Sequence, residues 1–352
     1  MILRLAIVGF GRVGQEFTRL LLSKREWLFN AMGLDIKVLA IADSMKGSLA
    51  SKKGLDLKRV LGTVESEGTL MSYGRELTDL STVGILEHCN ADIMVELTTL
   101  NIDTGQPAID HVKTAFEMGM DAITANKGPI AFAYDKLKAM ASAKNAHFRF
   151  EGTVMDGTPV FNLVERALPG CRVEAISGIL NSTTNFVLAM MERGKSMEDA
   201  LEEAKRLHIT EADPSIDIDG WDAAVKIAAL ANVLMDARTT PKGVEREGIR
   251  NVSLESIRQA ASKGKKVKLV ANAERTSGVV RTEVAPKLVG PENPFWCLNG
   301  TSSALTLKTD LMGKITIIED EPTLAQTAYA ILSDMLLIAE QNSMNPRSSA
   351  RN

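Results

Sequence analysis

Residues 3–8 form a short run, apolar except for Arg4, which reads as a buried strand. A glycine cluster follows at once. Val13, Phe17, Leu20 and Leu21 then recur at helical spacing. Residues 36–42 are a second apolar run, ending at Asp43-Ser44. Residues 45–79 are polar and punctuated by glycine, and are predicted to be irregular in part. A third strand runs over 93–97 and closes on Thr98-Thr99. A helix is predicted over 105–118, then a strand over 122–125 that ends at Asn126-Lys127-Gly128-Pro129, then a helix over 130–143. Strands alternating with helices predict an α/β fold with a doubly wound parallel sheet.

The pattern changes after residue 147. Residues 171–180, 266–274 and 279–289 read as strands, and their alternation predicts an open-faced antiparallel or mixed sheet. Helices are predicted over 159–168, 184–193, 197–208, 221–235 and 254–262. This second unit is therefore α+β. A final helix is predicted over 323–340, followed by a polar, disordered tail.

A length of 352 residues suits two domains. The net charge of −3 comes without any dense basic run, which argues against nucleic-acid or membrane-surface binding. Cys89, Cys171 and Cys297 are odd in number and widely spaced, so neither a disulfide framework nor a metal motif is expected, and a reducing cytoplasm fits. No apolar run reaches the length of a membrane span, and no signal peptide is expected.

Three constellations carry chemistry. The first is Gly9-Phe10-Gly11-Arg12-Val13-Gly14, between the first strand and the first helix. Glycines there permit a tight turn, close approach of backbone to a pyrophosphate, and close helix–strand packing. The helix N-terminus supplies amide donors for phosphate. Asp43 ends the second strand, where a carboxylate meets ribose hydroxyls and argues for NAD. Lys46, Lys52 and Lys53 lie just beyond and leave NADP open. The second constellation is Thr98, Thr99, Asn126 and Lys127, at the carboxyl ends of two strands, where open α/β sheets bind ligands.

The third is Glu211 to Lys226, a loop with several carboxylates that runs into an alanine-rich helix. Asp222 and Lys226 share a helical face. Lys226 is the only charged residue between Ala223 and Met235, so its ammonium must be paired or serve chemistry. Beside a carbonyl it would stabilise the alkoxide that forms as hydride arrives, and donate the proton. Glu211, Asp217 and Asp222 would bind a substrate ammonium. By contrast His88, His111, His147 and His208 show no metal spacing and no nucleophile partner.

With these residues in view, the chain resembles the homoserine dehydrogenase family over about residues 3–340. The resemblance rests on the glycine cluster, on Thr124-Ala-Asn-Lys127-Gly-Pro, on Glu151-Gly-Thr-Val154-Met-Asp156-Gly-Thr158-Pro, on Gly178-Ile-Leu-Asn181-Ser-Thr-Thr-Asn185, and on Asp213-Pro-x-x-Asp217-Ile-x-Gly220-x-Asp222-x-x-x-Lys226. It implies reversible, NAD- or NADP-dependent reduction of L-aspartate 4-semialdehyde to L-homoserine, on the path to threonine and methionine. Lys226 is then the acid/base residue, Glu211 and Asp222 hold the substrate amino group, and Lys127 lies near nicotinamide and substrate. The resemblance also implies a monovalent cation, usually sodium, held by Glu151 and by the backbone of Val154, Asp156 and Thr158, and a homodimer joined through the second sheet.

The family often carries glycine where this chain has Ser182 and His208. Its glycine-rich loop before the last helix is replaced by Glu319-Asp-Glu-Pro-Thr. No room is expected for a C-terminal regulatory domain. The expected organisation is a Rossmann-type dinucleotide-binding domain over 1–147 and 318–341, a catalytic and dimerisation domain over 148–317, and a disordered tail over 342–352. Two rivals stand beside this reading. One is another semialdehyde oxidoreductase, which needs a nucleophilic cysteine; the other is a non-enzymatic nicotinamide sensor, which leaves Lys226 without purpose.

Overall fold

The computed structural model describes residues 1–211 and 213–344. In β1 (Ile2–Val8), Leu3, Leu5 and Ile7 point into one apolar cluster while Ala6 and Val8 point into another. A strand covered on both faces is apolar over its buried length, as Leu5–Val8 is; Arg4, only partly buried near the strand's start, pairs with Asp92. The remaining strands of this sheet are β2 (Asp35–Ala42), β3 (Ser48–Ala50), β4 (Leu77–Thr78), β5 (Ile93–Glu96), β6 (Asp121–Thr124) and β7 (Phe148–Arg149), in spatial order β4-β3-β2-β1-β5-β6-β7. β2, β1, β5, β6 and β7 run parallel, whereas β3 and β4 are antiparallel additions at one edge. The chain leaves β1 towards β2 on one side and returns to β5 on the other. The switch point therefore lies at the carboxyl ends of β1 and β5. The last helix, Leu324–Met344, packs Ala328, Ile331, Leu332 and Met335 into the same cluster as Phe17 and Leu21 of the first helix.

The second sheet holds β8 (Val173–Ile179), β9 (Glu245–Arg246), β10 (Lys266–Thr276), β11 (Val279–Val289), β12 (Ser303–Thr309) and β13 (Gly313–Glu319). Their order is β13-β12-β8-β10-β11-β9, antiparallel throughout except for the parallel pair β9 and β11. The helix Trp221–Met235 packs against this sheet. It is buried over most of its length, as its near-continuous Ala, Val, Ile and Leu content requires.

The chain divides into two units. One contains Met1–Pro129, Ala133–Pro159 and the segment from Thr323 on; the other contains Ile130–Phe132 and Val160–Pro322. The boundaries expected after residues 147 and 317 thus fall after Pro159 and Pro322. The helix expected over 130–143 is two, Gly128–Phe132 and Tyr134–Ala143, broken at Ala133. The segment expected to be irregular contains the helix Leu57–Glu67, capped by Asp56, whose side chain accepts from the Lys58 and Arg59 amides. The hairpin of β12 and β13 was not expected. The final helix continues to Met344, so residues 342–344 are helical and not tail; residues 345–352 lie outside the described ones. Among the described residues no helix is long and apolar enough to cross a membrane.

Candidate active site

In the first unit the glycine cluster forms the turn from β1 into the helix Arg12–Ser23. Gly9 has φ +94°, and a Cβ there would lie 2.6 Å from the Leu97 carbonyl carbon. A Cβ on Gly14 would lie 2.6 Å from the Gly9 carbonyl oxygen. At Gly11 a Cβ would meet nothing within 4 Å, so this glycine faces open space. The helix begins with no side-chain cap and no acidic residue in its first turn, which suits an anion. Phe10 is fully buried, Val13 half-buried and Arg12 exposed.

Asp43 is tied to this turn. Its Oδ2 accepts from the Phe10 amide at 2.7 Å, and its Oδ1 accepts from the amides of Met45 (2.9 Å) and Lys46 (2.8 Å). The carboxylate builds the loop pair and retains limited lone-pair capacity for a ribose hydroxyl. The Phe10 amide points at Asp43, so it is not one of the phosphate donors.

Asn126 joins the ends of β5 and β6. Its Nδ2 donates to the Thr98 carbonyl at 2.9 Å, and its Oδ1 accepts from the Gly128 amide at 2.8 Å. Lys127 immediately precedes the next helix and is half-buried, and Thr99 lies beside Thr98 on the same turn. These strand ends, the glycine turn and Asp43 all belong to the first unit.

The second unit holds the lysine cluster. Lys226 Nζ donates to the Leu180 carbonyl at 2.6 Å and pairs with Asp222 Oδ2 at 2.9 Å. The two side chains are only 18% and 16% exposed, so this is not a solvated surface pair. Asn181 Nδ2 bridges the acids, donating to Asp217 Oδ1 at 2.7 Å and to Asp222 Oδ2 at 3.0 Å. Its Oδ1 caps the helix Ser182–Glu192 through the Thr184 amide. Burial, then the Asp222 charge, push the Asp217 carboxyl above its ordinary range; hydrogen bonds from Thr183 and Asn181 and the Lys226 charge oppose this. Two carboxyl groups in one network offer acceptor oxygens that suit a cationic group on a small ligand. Glu211 is exposed and, among the described residues, is not joined to the cluster by hydrogen bond or ion pair.

The chain matches two family profiles, "Homoserine dehydrogenase, NAD binding domain" over residues 9–151 and "Homoserine dehydrogenase" over residues 159–336. A protein of Pseudomonas canavaninivorans named NAD(+)-dependent homoserine dehydrogenase is 34% identical, over 95% of this chain and 96% of its own length. The homoserine dehydrogenase of Methanocaldococcus jannaschii is 35% identical, over 94% and 97%.

The chain belongs to the homoserine dehydrogenase family.

Among solved structures, a hyperthermophilic archaeal homoserine dehydrogenase in complex with NADPH superposes with a TM-score of 0.83 at 30% identity, covering 97% of this chain and 98% of that one. The homoserine dehydrogenase of Thiobacillus denitrificans gives a TM-score of 0.84 at 27% identity, covering 99% and 76%. As a homoserine dehydrogenase the chain is an oxidoreductase that works with NAD(P), and the expected α/β fold with a second mixed sheet is the one observed.

Sequence reasoning missed Asn181 as part of the site. It stood in a family motif, but nothing in its spacing showed that a helix cap would also bridge two acids from two other helices. Reasoning also passed over Glu96 and His111, which form a buried pair at 2.7 Å beneath the β5 end. The acids of Glu319-Asp320-Glu321 tie β13 to its neighbour: Ser303 Oγ donates to Glu319 Oε2 at 3.0 Å and Ser302 Oγ to Asp320 Oδ1 at 2.6 Å. That gives the departure from the family loop a structural role.

Proposed function

We propose that Lys226 is the proton-transferring residue of this homoserine dehydrogenase and that Asp217 and Asp222 hold the substrate's ammonium end. The observation that carries this reading is the ammonium's placement, largely buried, on the Leu180 carbonyl and Asp222, within one hydrogen-bonded network with Asp217. In the reduction of L-aspartate 4-semialdehyde, Lys226 donates its proton to the oxygen that becomes the hydroxyl of homoserine. In the oxidation it takes that proton back. Asp222 and the Leu180 carbonyl hold the nitrogen in place. Glu211, exposed in this structure, is kept as a second ligand to the ammonium on the strength of the family motif, and Lys127 as a neighbour of the nicotinamide.

The dinucleotide is assigned to the first unit. Gly9 and Gly14 permit the close packing of the turn, Gly11 leaves it open, and the uncapped helix start would face a phosphate. The ribose lies at Asp43, whose charge favours NAD over a 2′-phosphate. The nicotinamide lies along Thr98, Thr99, Asn126 and Lys127. Bound there, the cofactor would supply or take up the hydride.

A monovalent cation fits the loop that follows β7. Val154 is wholly buried, and among the described residues its carbonyl oxygen accepts no hydrogen bond. Glu151 is also buried, and Met155 and Asp156 both adopt positive φ, which marks a loop held in an unusual shape. Carbonyl and carboxylate oxygens are hard donors, suited to sodium. Glu151, Val154, Asp156 and Thr158 would hold it. The assembly is proposed to be a homodimer through the second sheet, where Thr306 and Thr316 present hydroxyls on an exposed row. The location is proposed to be cytoplasmic, in keeping with three free cysteines.

The test is homoserine oxidation followed by absorbance of reduced nicotinamide, with NAD and NADP in parallel, with and without sodium. Lys226→Ala is expected to lose about 10²–10⁴-fold in kcat while cofactor affinity stays near that of the parent. A variant with near-normal kcat would refute the assignment. Cys→Ser at Cys89, Cys171 and Cys297 should leave activity in place, which separates this chemistry from that of a cysteine-dependent semialdehyde dehydrogenase.

A further inference from the structure

Glu96 is the last residue of β5, carries a carboxylate and is 0% exposed. A buried carboxylate is stable only when donors surround it. Here they do. Oε1 accepts from the Thr98 amide at 2.8 Å and from the Thr98 hydroxyl, and Oε2 meets His111 Nδ1 at 2.7 Å. His111 sits on the helix Ala108–Glu117 and is 5% exposed. Because the carboxylate only accepts, His111 must carry its proton on Nδ1.

The group that this pair holds is Thr98. Its carbonyl and hydroxyl accept from Asn126 Nδ2, at 2.9 and 3.3 Å, and Asn126 in turn receives the Gly128 amide. On its other side the 97–98 backbone lies so near Gly9 that a Cβ there would stand 2.8 Å from the Thr98 nitrogen. The Thr98 turn is therefore where the glycine turn, β5 and β6 meet. One hydrogen-bonded chain runs from His111 through Glu96 and Thr98 to Asn126 and the start of the next helix.

We propose that the buried Glu96–His111 pair is a positioning device for the dinucleotide: by clamping Thr98 from below it fixes the rim on which the nicotinamide half rests. Neither residue touches substrate or cofactor. Their effect passes through Thr98 and Asn126, and the proposal rests on the cofactor placement given above. What matters is the direction of the hydrogen bonds. A glutamine at position 96 keeps a carbonyl oxygen for the two Thr98 donors and turns its amide towards His111. The neutral imidazole accepts that donor by moving its proton to Nε2. An alanine offers nothing to either partner.

Steady-state kinetics of the full-length enzyme test this, with cofactor and homoserine varied separately and thermal melting recorded for each variant. Glu96→Ala is expected to raise the KM for the dinucleotide about tenfold, the worth of hydrogen bonds to a charged group. The KM for homoserine at saturating dinucleotide should stay near that of the parent. Glu96→Gln should recover most of the loss. Should Glu96→Ala fail to fold, Thr98→Val carries the test, because it removes the hydroxyl from both Glu96 and Asn126 at nearly constant volume; it too should raise the dinucleotide KM selectively. The proposal is overturned if folded Glu96→Ala and Thr98→Val bind dinucleotide as the parent does, if both KM values rise alike, or if Glu96→Gln is as impaired as Glu96→Ala. Gly11→Asp, which places a carboxylate in the open space of the turn, separates the two layers of inference. If it leaves the dinucleotide KM unchanged, the cofactor placement itself fails. If it raises that KM while Glu96→Ala does not, only the positioning role falls.

Discussion

Asp217 shows how a site for an amine is prepared. Asp222 pairs with the Lys226 ammonium, both carboxylates accept from the one Asn181 amide, and burial with the Asp222 charge hold the Asp217 carboxyl above its ordinary range. The native state therefore binds the proton more tightly than the unfolded chain. Across the window from the ordinary value near 3.8 up to the raised one, stability falls as pH rises, and the penalty persists at neutral pH. Asp217→Asn removes the penalty and still accepts from Asn181. It should melt higher than the parent at pH 7, with the difference vanishing below the ordinary aspartate range. Its KM for homoserine should rise about tenfold, because a charge-assisted contact to the substrate is lost. An unchanged KM would remove Asp217 from the substrate site. At this scale Lys226 and Asp222 were legible, since a lone charge in an apolar helix and an i,i+4 acid need no tertiary knowledge. Asn181, Glu96 and His111 were not, because each acts through a partner that only folding brings near. His208 was half legible: the family often carries glycine there, and His208 has φ +56° just after the helix Met197–Arg206, a conformation that favours glycine.

Among the elements, those with a strong period read well. The helices Trp221–Met235 and Leu254–Ser262 have the bounds that their apolar patterns predict. The helix Leu57–Glu67 was hidden because only Val60, Leu61 and Val64 are buried and the rest of its surface is polar; its cap, Asp56, and the left-handed Gly68 after it were the readable signals. β12 and β13 were hidden for the opposite reason. Lys308, Lys314 and alternating threonines dilute the pattern, and pairing with β8 rather than local sequence decides them. The glycine turn makes the most direct prediction for an element. Gly14→Ala forces a methyl to 2.6 Å from the Gly9 carbonyl, so the helix Arg12–Ser23 must move away from β1. Dinucleotide affinity should drop at least about tenfold, with homoserine binding little changed. Calorimetric titration with NAD and NADP checks this, and unaltered affinity would mean that the turn does not carry the phosphates.

On the scale of the whole chain, the change of pattern near residue 147 and the return of the last helix announced two units, and the structure has two. The sequence placed the junctions early, because the loop after β7 looks like the start of new structure while it is tethered to the last helix. The Glu151 amide donates to Asp334 at 2.9 Å, and the Thr327 hydroxyl to Asp156 at 3.2 Å. The cation and the dimer, implied by family resemblance alone, leave no mark in composition or period, since backbone carbonyls carry no side-chain signature.

That tether has a topological consequence. Gly157 approaches Gln326 so closely that a Cβ would stand 2.2 Å from its carbonyl oxygen, and these residues flank the ends of the long excursion, Val160–Pro322, that the chain makes out of the first unit. The second unit is thus a guest inserted through neighbouring doors. A short glycine bridge across them, with residues 160–322 excised, should yield a miniature that folds and captures dinucleotide yet oxidises nothing. Should that miniature be insoluble or blind to NAD(P), host and guest fold only together.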